Sequence, residues 1–360
     1  MRAYISSRRF HPGHFSHMHA NYLMMLDLGF EPSLYVNEGF NSMAGDLKRI
    51  NRFSQLLSDK ELKYLIVWFP SIQSLLDMLF VKLFRRDASI VYFFHEPYDS
   101  FSNYLKSGFS FFKTIKVTLV SIFNFFLVLL SNKVLLPSDA ALQKYEASYA
   151  WLNKPYIRIP LLFNDELAGP IHEISLRPFI SYVGTIAEDH AFDEFVSVVA
   201  RASEAGLFPG LQFLIATRSV MPEWAIEKLA GAIASEKLIV RSGKPLTNAE
   251  INAFYHSSVV VWNAYRRSMQ SGVMPKAFMF GTPVLVSGFN QSEFFVNHEC
   301  GELIPEYNYE DTILAISIII ANFSMYSICA REAFLRNYFY QAHSQKFLEF
   351  ISTPKKVTHE

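Results

Sequence analysis

The sequence predicts an α/β protein built from two doubly wound domains, on three observations. At 360 residues the chain exceeds one ordinary core and suits two domains of roughly 150 to 200 residues each. Short β-branched runs alternate with segments of helical period along the whole length, the order expected of parallel sheets. In each half, an apolar strand runs into a glycine-bearing turn that opens a helix, as mononucleotide-binding units do.

Composition narrows the function classes. Hydrophobic residues make up 51% and charged residues 18%, with 34 Phe and 18 Tyr, which is apolar for a soluble enzyme. A formal net charge of zero argues against a general nucleic-acid binder, since such domains are strongly basic. Residues 1–170 hold 18 Lys and Arg against 14 Asp and Glu, leaving 15 against 19 for residues 171–360. The resulting +4 on the first half (18 − 14) suits an anionic membrane surface. Two cysteines, Cys300 and Cys329, are too few for a disulfide framework and fit a reducing compartment. The start, MRAYISSRRFHPGH, has no apolar core of a signal peptide, so a cytoplasmic location is expected.

Taken in order, Ala3 to Ser6 is a first strand, and Arg8 to Ser16 a polar loop containing Pro12-Gly13. His17 to Leu28 places Met18, Tyr22, Met25 and Leu26 at helical spacing and stops at Gly29. Pro32 to Val36 is the second strand, which makes Gly13 the glycine of a loop that a nucleotide would approach. The G-x-G-x-x-G fingerprint of dinucleotide enzymes is absent, so no nicotinamide cofactor is expected. His11, His14, His17 and His19 crowd the same loop. Their spacing could turn two toward a metal, but no Asp, Glu or Cys completes a ligand set nearby, and clustered histidines also line polar or phosphate pockets. No metal site is expected.

Tyr64 to Phe69 and Ser89 to Phe94 are buried strands, and Ile72 to Phe84 a helix with apolar residues around its circumference. His95-Glu96-Pro97 stands at the C-terminal end of the second of these strands, where ligands of open α/β sheets bind; His95 is either ligand-facing or a satisfied turn histidine. From Phe101 to Pro137 there are four lysines and no acid, interleaved with aromatics. The uncharged run Val117 to Asn132 has 16 residues, short of the ~20 needed to span hydrocarbon. Phe101 to Ser131 is therefore either a basic aromatic segment lying in a membrane interface or an internal helix under the first sheet. Val134 to Ser138 is a short strand ending in a loop, and Asn164 to Arg177, polar with Pro170, is read as the linker.

The second domain opens with a strand, Phe179 to Val183, running into Gly184, then the helix Phe192 to Ala205. Leu211 to Ala216 is a strand ending in Thr217-Arg218-Ser219, and Leu238 to Arg241 another. Thr247 and Glu250 form a capping box ahead of Ile251 to His256. The most informative stretch is Val259 to Ser287. Two apolar β-branched runs flank the turn Gln270-Ser271-Gly272 and a short helix, Met274 to Phe280, closed by Gly281. Such a turn is either an ordinary βαβ corner or an anion site, because first-turn N–H groups and the helix dipole point the same way. Tyr309 to Ile351 is helical with a break.

Ser271-Gly272-Val273 followed by Phe280-Gly281-Thr282-Pro283-Val284 resembles the donor-binding segment of GT-B glycosyltransferases of family 4 (glycosyl transferases group 1), in the subgroup with an SGV donor loop. Tyr182-Val183-Gly184, His95-Glu96-Pro97 and Gly301 to Pro305 are similar to further family segments, and Val134 to Ser138 resembles the family's last strand of the first domain. The resemblance implies a GT-B fold, two Rossmann-like domains facing a cleft: an acceptor- and membrane-facing domain over 1–165, a donor domain over 166–335, and a C-terminal helix, 336–360, crossing back. It implies a retaining, metal-independent hexosyltransferase with no cofactor, moving sugar from a nucleotide-diphosphate sugar to a lipid-linked or glycan acceptor in bacterial surface polysaccharide synthesis. The protein would be cytoplasmic and peripheral to the inner face of the cell membrane. His95 would lie beside the donor sugar. Gly13, Gly184, Thr185, His190, Gln270, Ser271, Gly272, Val273 and Lys276 would bind the donor.

The chain also departs from the family. A basic pair after the domain's first glycine is replaced by Thr185 and His190-Ala191, and Ser268 and Lys276 stand where two glutamates are usual. Arg218 is the candidate to restore positive charge, and Lys276 could reach a phosphate. These losses keep open a non-catalytic paralogue acting as partner or scaffold, or another GT-B enzyme such as a sugar-nucleotide epimerase.

Overall fold

The computed structural model describes every residue except 10–11, 96, 107–108, 268–270, 289–293 and 354–360. The chain divides into two compact units, Met1–Asn164 with Tyr338–Glu360, and Asp165–Asn337.

The first unit is built on a seven-stranded sheet. Its strands are β1 (Arg2–Ser7), β2 (Glu31–Val36), β3 (Arg49–Ile50), β4 (Leu62–Val67), β5 (Ser89–Phe93), β6 (Lys133–Leu136) and β7 (Tyr156–Arg158), in the order β3-β2-β1-β4-β5-β6-β7. Every pair is parallel. Val134 to Ser138 is thus not the last strand: a helix, Asp139–Tyr149, and β7 follow it. That helix buries only Ala141, Tyr145 and Tyr149, one residue per turn, and β7 is three half-buried residues, so neither has a strong period to read.

The second unit carries β8 (Phe179–Val183), β9 (Gln212–Ala216), β10 (Leu238–Arg241), β11 (Ser258–Asn263), β12 (Val284–Ser287) and β13 (Gly301–Ile304), in the order β10-β9-β8-β11-β12-β13. All pairs are again parallel. Helices cover the sheet, so β11 is buried at all six positions and reads as a continuous apolar run rather than an alternating one. In both units strand order reverses about the first strand, β1 or β8. The carboxyl ends beside that reversal are where open α/β sheets leave a crevice for ligands.

The end of the chain is fastened to the first unit. Phe163 pairs with the Tyr338–Tyr340 segment, and the buried Lys133 ammonium at the start of β6 donates to the carbonyls of Phe350, Ile351 and Thr353, closing the helix Ser344–Ser352. A lysine is well suited to those orphan carbonyls at the negative end of the helix dipole.

The stretch read as a linker is also tied down. Asp165 pairs with Arg331, and Glu166 with Lys276, so its polarity reflects two fixed ion pairs in the second unit.

Two neighbouring helices of the first unit, Ile72–Phe84 and Phe111–Leu130, turn polar residues inward. Ser74 and Asp77 are buried on one, Thr114 and Asn124 on the other. Tyr35 donates to Asp77 at 3.2 Å, the Arg8 guanidinium lies 3.4 Å away, and Tyr92 donates to Asn124 at 3.0 Å. Burial lifts the Asp77 carboxyl to about 6, against the pull of Arg8 and Tyr35. Because this folded value exceeds the unfolded one, the group's stabilising share is fully present below about pH 4 and is lost as pH rises through 6. Asp77→Asn should therefore gain on the wild type across that window, by up to about 3 kcal/mol at pH 7. Paired urea melts at pH 4.5 and 7 check this: an unchanged difference between the two proteins would mean that Asp77 ionises normally.

Candidate donor site of the second unit

The carboxyl ends of β8, β9 and β11 bring together most of the residues singled out in this half. β8 ends at Gly184, whose φ of +154° is open to glycine and strained for other residues. A Cβ there would stand 3.7 Å from both the Tyr265 hydroxyl and Val273, an ordinary contact, so it is the backbone conformation and not a lack of space that calls for glycine. The Gly184 N–H is bonded to Ala216 at the end of β9, at 3.0 Å.

The next residues are held in a fixed loop. The Thr185 carbonyl accepts from Tyr182 Oη at 2.8 Å and from His190 Nδ1 at 2.7 Å. A carbonyl can only accept, so Nδ1 carries the proton and, in the neutral ring, Nε2 has the lone pair. The His190 ring stacks on Tyr265, centroids 4.2 Å apart and planes 10° apart. Tyr265 is buried, which raises its phenol pKa, and acts as a neutral platform.

Arg218 stands exposed at the tip of the turn after β9. The turn is pinned on several sides: Thr217 N to Arg241 O at 2.8 Å, Ser219 N to Thr217 Oγ1 at 3.0 Å, and Ile186 N to Ser219 Oγ at 3.1 Å. The last bond ties Arg218's turn directly to the Thr185 loop.

After β11, the chain reaches Ser271, Gly272 and the helix Val273–Met279. The expectation that this turn's N–H groups face a ligand needs correction at one position: Val273 N donates to Ser271 Oγ at 3.1 Å. Gly272 and Met274 remain as first-turn N–H groups with no intrahelical acceptor, as at any helix start. The far end closes as read, with Gly281 at φ +60°; a Cβ there would lie 2.8 Å from Ser327 Oγ, so only glycine fits.

Lys276 also departs from expectation. Its ammonium is buried 2.8 Å from Glu166 and 2.9 Å from Asn252 Oδ1. Glu166 further accepts from Asn248 and Asn252. Burial opposes both charges and lowers the Lys276 pKa, but against that same burial the attraction of Lys276 and three hydrogen bonds hold Glu166 below its ordinary value. The pair is ionised, and the lysine is committed to a carboxylate 110 positions back in the chain (276 − 166) instead of a phosphate.

Arg266, which sequence reasoning passed over, is the main organiser of this edge. Its guanidinium grips Asp193 through two bonds of 2.8 and 2.7 Å and reaches Glu194 at 3.0 Å, and its N–H bonds Asp189 O at 2.8 Å. Burial works against the Asp193 carboxylate, yet Arg266 leaves its pKa below the ordinary value. The signal available was Arg266-Arg267 immediately beyond a buried strand, the edge where ligand and loop contacts gather.

The other described residues singled out lie in the first unit. Gly13 is exposed in the turn Pro12–His14 leading into the helix Phe15–Asp27. His95 is half-buried just past β5. The loop histidines sit against aromatic rings: His14 against Phe69 at 4.4 Å, His19 on Phe15 at 5.9 Å, and buried His17 between Trp68 and Phe163, its Nδ1 on Leu162 O at 3.1 Å. His11, Glu96, Ser268 and Gln270 lie outside the described residues.

No protein-family model and no curated protein sequence matches the chain. Its fold does match solved structures. Anabaena HepE, solved in complex with UDP and glucose, superposes with a TM-score of 0.69 at 12% identity, over 98% of this chain and 99% of that one. A glycosyltransferase from Rickettsia africae gives 0.68 at 12% identity, over 97% of each chain. Sucrose-phosphate synthase from Thermosynechococcus elongatus gives 0.68 at 13% identity, over 96% of this chain and 97% of that one. The protein thus has the two-unit α/β architecture of GT-B glycosyltransferases.

Proposed function

We propose that the protein is a retaining, metal-independent hexosyltransferase of family-4 type that transfers sugar from a nucleotide-diphosphate sugar to a lipid-linked or polysaccharide acceptor of a bacterial surface glycan. The observation that carries this reading is the convergence of the Gly184 turn, the Thr185–His190 loop, the Arg218 turn and the Ser271–Val273 turn at the carboxyl ends of β8, β9 and β11. A structure of the same architecture holds UDP and glucose, which supports the ligand class. In this reading the diphosphate lies against Gly272 and Met274 N–H groups and Arg218. His190 Nε2, aimed by its Nδ1–H bond and the Tyr265 ring, takes a sugar or phosphate oxygen when protonated, or a hydroxyl when neutral. No protein nucleophile is needed for front-face transfer; the chain's contribution is preorganised donors where charge develops on the leaving phosphate.

Thermal shift against UDP, GDP and their sugars tests the reading, since a ligand at a hundred times its Kd adds about 2.7 kcal/mol. One observation favours a second reading, a donor-binding partner protein without turnover: Lys276 and Arg266, two of the cations near this edge, are committed to carboxylates. A nucleotide shift with no product from any acceptor would favour that partner protein. Consumption of donor without acceptor would instead indicate an epimerase, and no shift with any nucleotide would remove the donor site.

A further inference from the structure

Among the described residues thirty large apolar side chains are exposed, and fifteen of them lie on just two neighbouring helices, Ile72–Phe84 and Phe111–Leu130. The exposed positions recur at three- and four-residue spacing. Phe112 at 83%, Leu119 at 56% and Phe126 at 44% mark one stripe, Ile72 at 60%, Leu76 at 46% and Leu83 at 52% the other. A water-facing helix normally buries such a stripe and shows its polar face. Here both helices leave an apolar stripe outside as well, and bury Ser74, Asp77, Thr114 and Asn124 beside Met78, Val81, Leu127 and Val128. A patch of this extent on a protein surface marks an interaction site.

We propose that these two outward faces form a single surface that lies on an anionic phospholipid bilayer. Three features select that occupant. Exposed Lys106, Lys116 and Arg86, with Lys113, accompany the apolar stripes, and helix Phe111–Leu130 carries no acid. A two-fold contact with a second copy would set this basic fringe against itself, whereas acidic headgroups neutralise it. Trp151, 65% exposed, stacks on Phe125 at 5.7 Å, the amphipathic ring expected at the level of the headgroups.

The longer helix, with 20 residues and a mean hydropathy of 1.8, is long and apolar enough to cross a membrane, but its anchoring keeps it flat on the domain. Lys82 donates to the Leu130 carbonyl at 2.9 Å, and Lys154 to those of Leu129 and Ser131 at 2.7 and 3.1 Å. Crossing would draw these ammonium groups into hydrocarbon or strip them from the helix end. The surface thus immerses from one side only, as an interfacial helix pair. This inference stands apart from the sugar-transfer reading.

Flotation of the full chain with vesicles of phosphatidylglycerol and phosphatidylcholine tests it, together with quenching of Trp151 by brominated lipid. The wild type should float and be quenched, and Trp151→Phe should lose the quenching while still floating. Lys106→Gln with Lys113→Gln and Lys116→Gln should weaken partitioning roughly 100-fold, because each lysine near an anionic surface is worth about fivefold. Leu76→Glu with Phe112→Glu should abolish flotation with an unchanged melting curve, both side chains being exposed. A chain that stays below the vesicles overturns the proposal, as does flotation with Trp151 unquenched, or a dimer in sedimentation that the two glutamates dissolve.

Discussion

Arg218→Ala should lower sugar transfer by about 10²- to 10³-fold, the usual loss when one preorganised donor to transition-state charge is removed. A diphosphate leaving group gains charge as the sugar departs, and the cations near it decide the barrier. Arg218 is exposed at the carboxyl end of β9, the edge of the sheet where ligands of open α/β folds bind. Its turn is bonded to Arg241, to itself through Thr217, and to Ile186, so position is set by the backbone and the side chain supplies the charge. Arginine also holds phosphate by two parallel bonds, so Arg218→Lys should recover only part of the rate. Steady-state kinetics with the donor found by thermal shift provides the check. Unchanged turnover in Arg218→Ala alongside an inactive His190→Ala would move the role to His190.

The second large effect concerns stability. Arg177→Ala should cost the second unit about 3 to 5 kcal/mol, the range for uncovering buried polar partners of a charge, and lower its melting temperature by roughly 10 °C. Arg177 is fully buried. It donates to His172 O at 2.9 Å, Ser258 O at 2.8 Å, Thr282 Oγ1 at 2.7 Å and Phe280 O at 2.7 Å, with Phe323 under its guanidinium. Burial pulls its pKa down to about 10, so it stays charged at neutral pH, neutralised by carbonyl dipoles. Through Phe280 and Thr282 it clamps the end of the helix that begins at Val273 and joins it to the start of β11. Lysine cannot reproduce this fork. A calorimetric scan in which Arg177→Ala melts within 2 °C of wild type would show the clamp to be redundant.

Much of the fold was legible because burial writes itself locally. Val259 to Trp262 and Pro283 to Val286 are continuous β-branched runs, and a strand covered on both faces has few other solutions. Gly184 and Gly281 were legible because each occupies a backbone region that other residues avoid. The periodicity of Phe111–Leu130 showed a stripe but not its direction. Only the sheet reveals that Asn124 faces Tyr92 and Phe112 faces out. The site was less legible for a different reason: charge partners are non-local. Glu166 reads as a polar linker residue and Lys276 as a phosphate ligand until folding sets them 2.8 Å apart. Similarly, nothing in Ser271-Gly272-Val273 says that the serine hydroxyl takes the Val273 N–H for itself.

The bonds from Lys133 to the end of the helix Ser344–Ser352 have a consequence for synthesis. The second unit is one uninterrupted stretch, Asp165–Asn337, whereas the first combines Met1–Asn164 with a segment made after the whole of the second. On the ribosome, the later-translated unit therefore has all its strands and helices first, while the earlier one waits for its closing helix. At translation rates of 5–20 residues per second that wait lasts about 10 to 40 s. Through it the Lys133 ammonium at the start of β6 is without the three carbonyls to which it donates in the finished fold.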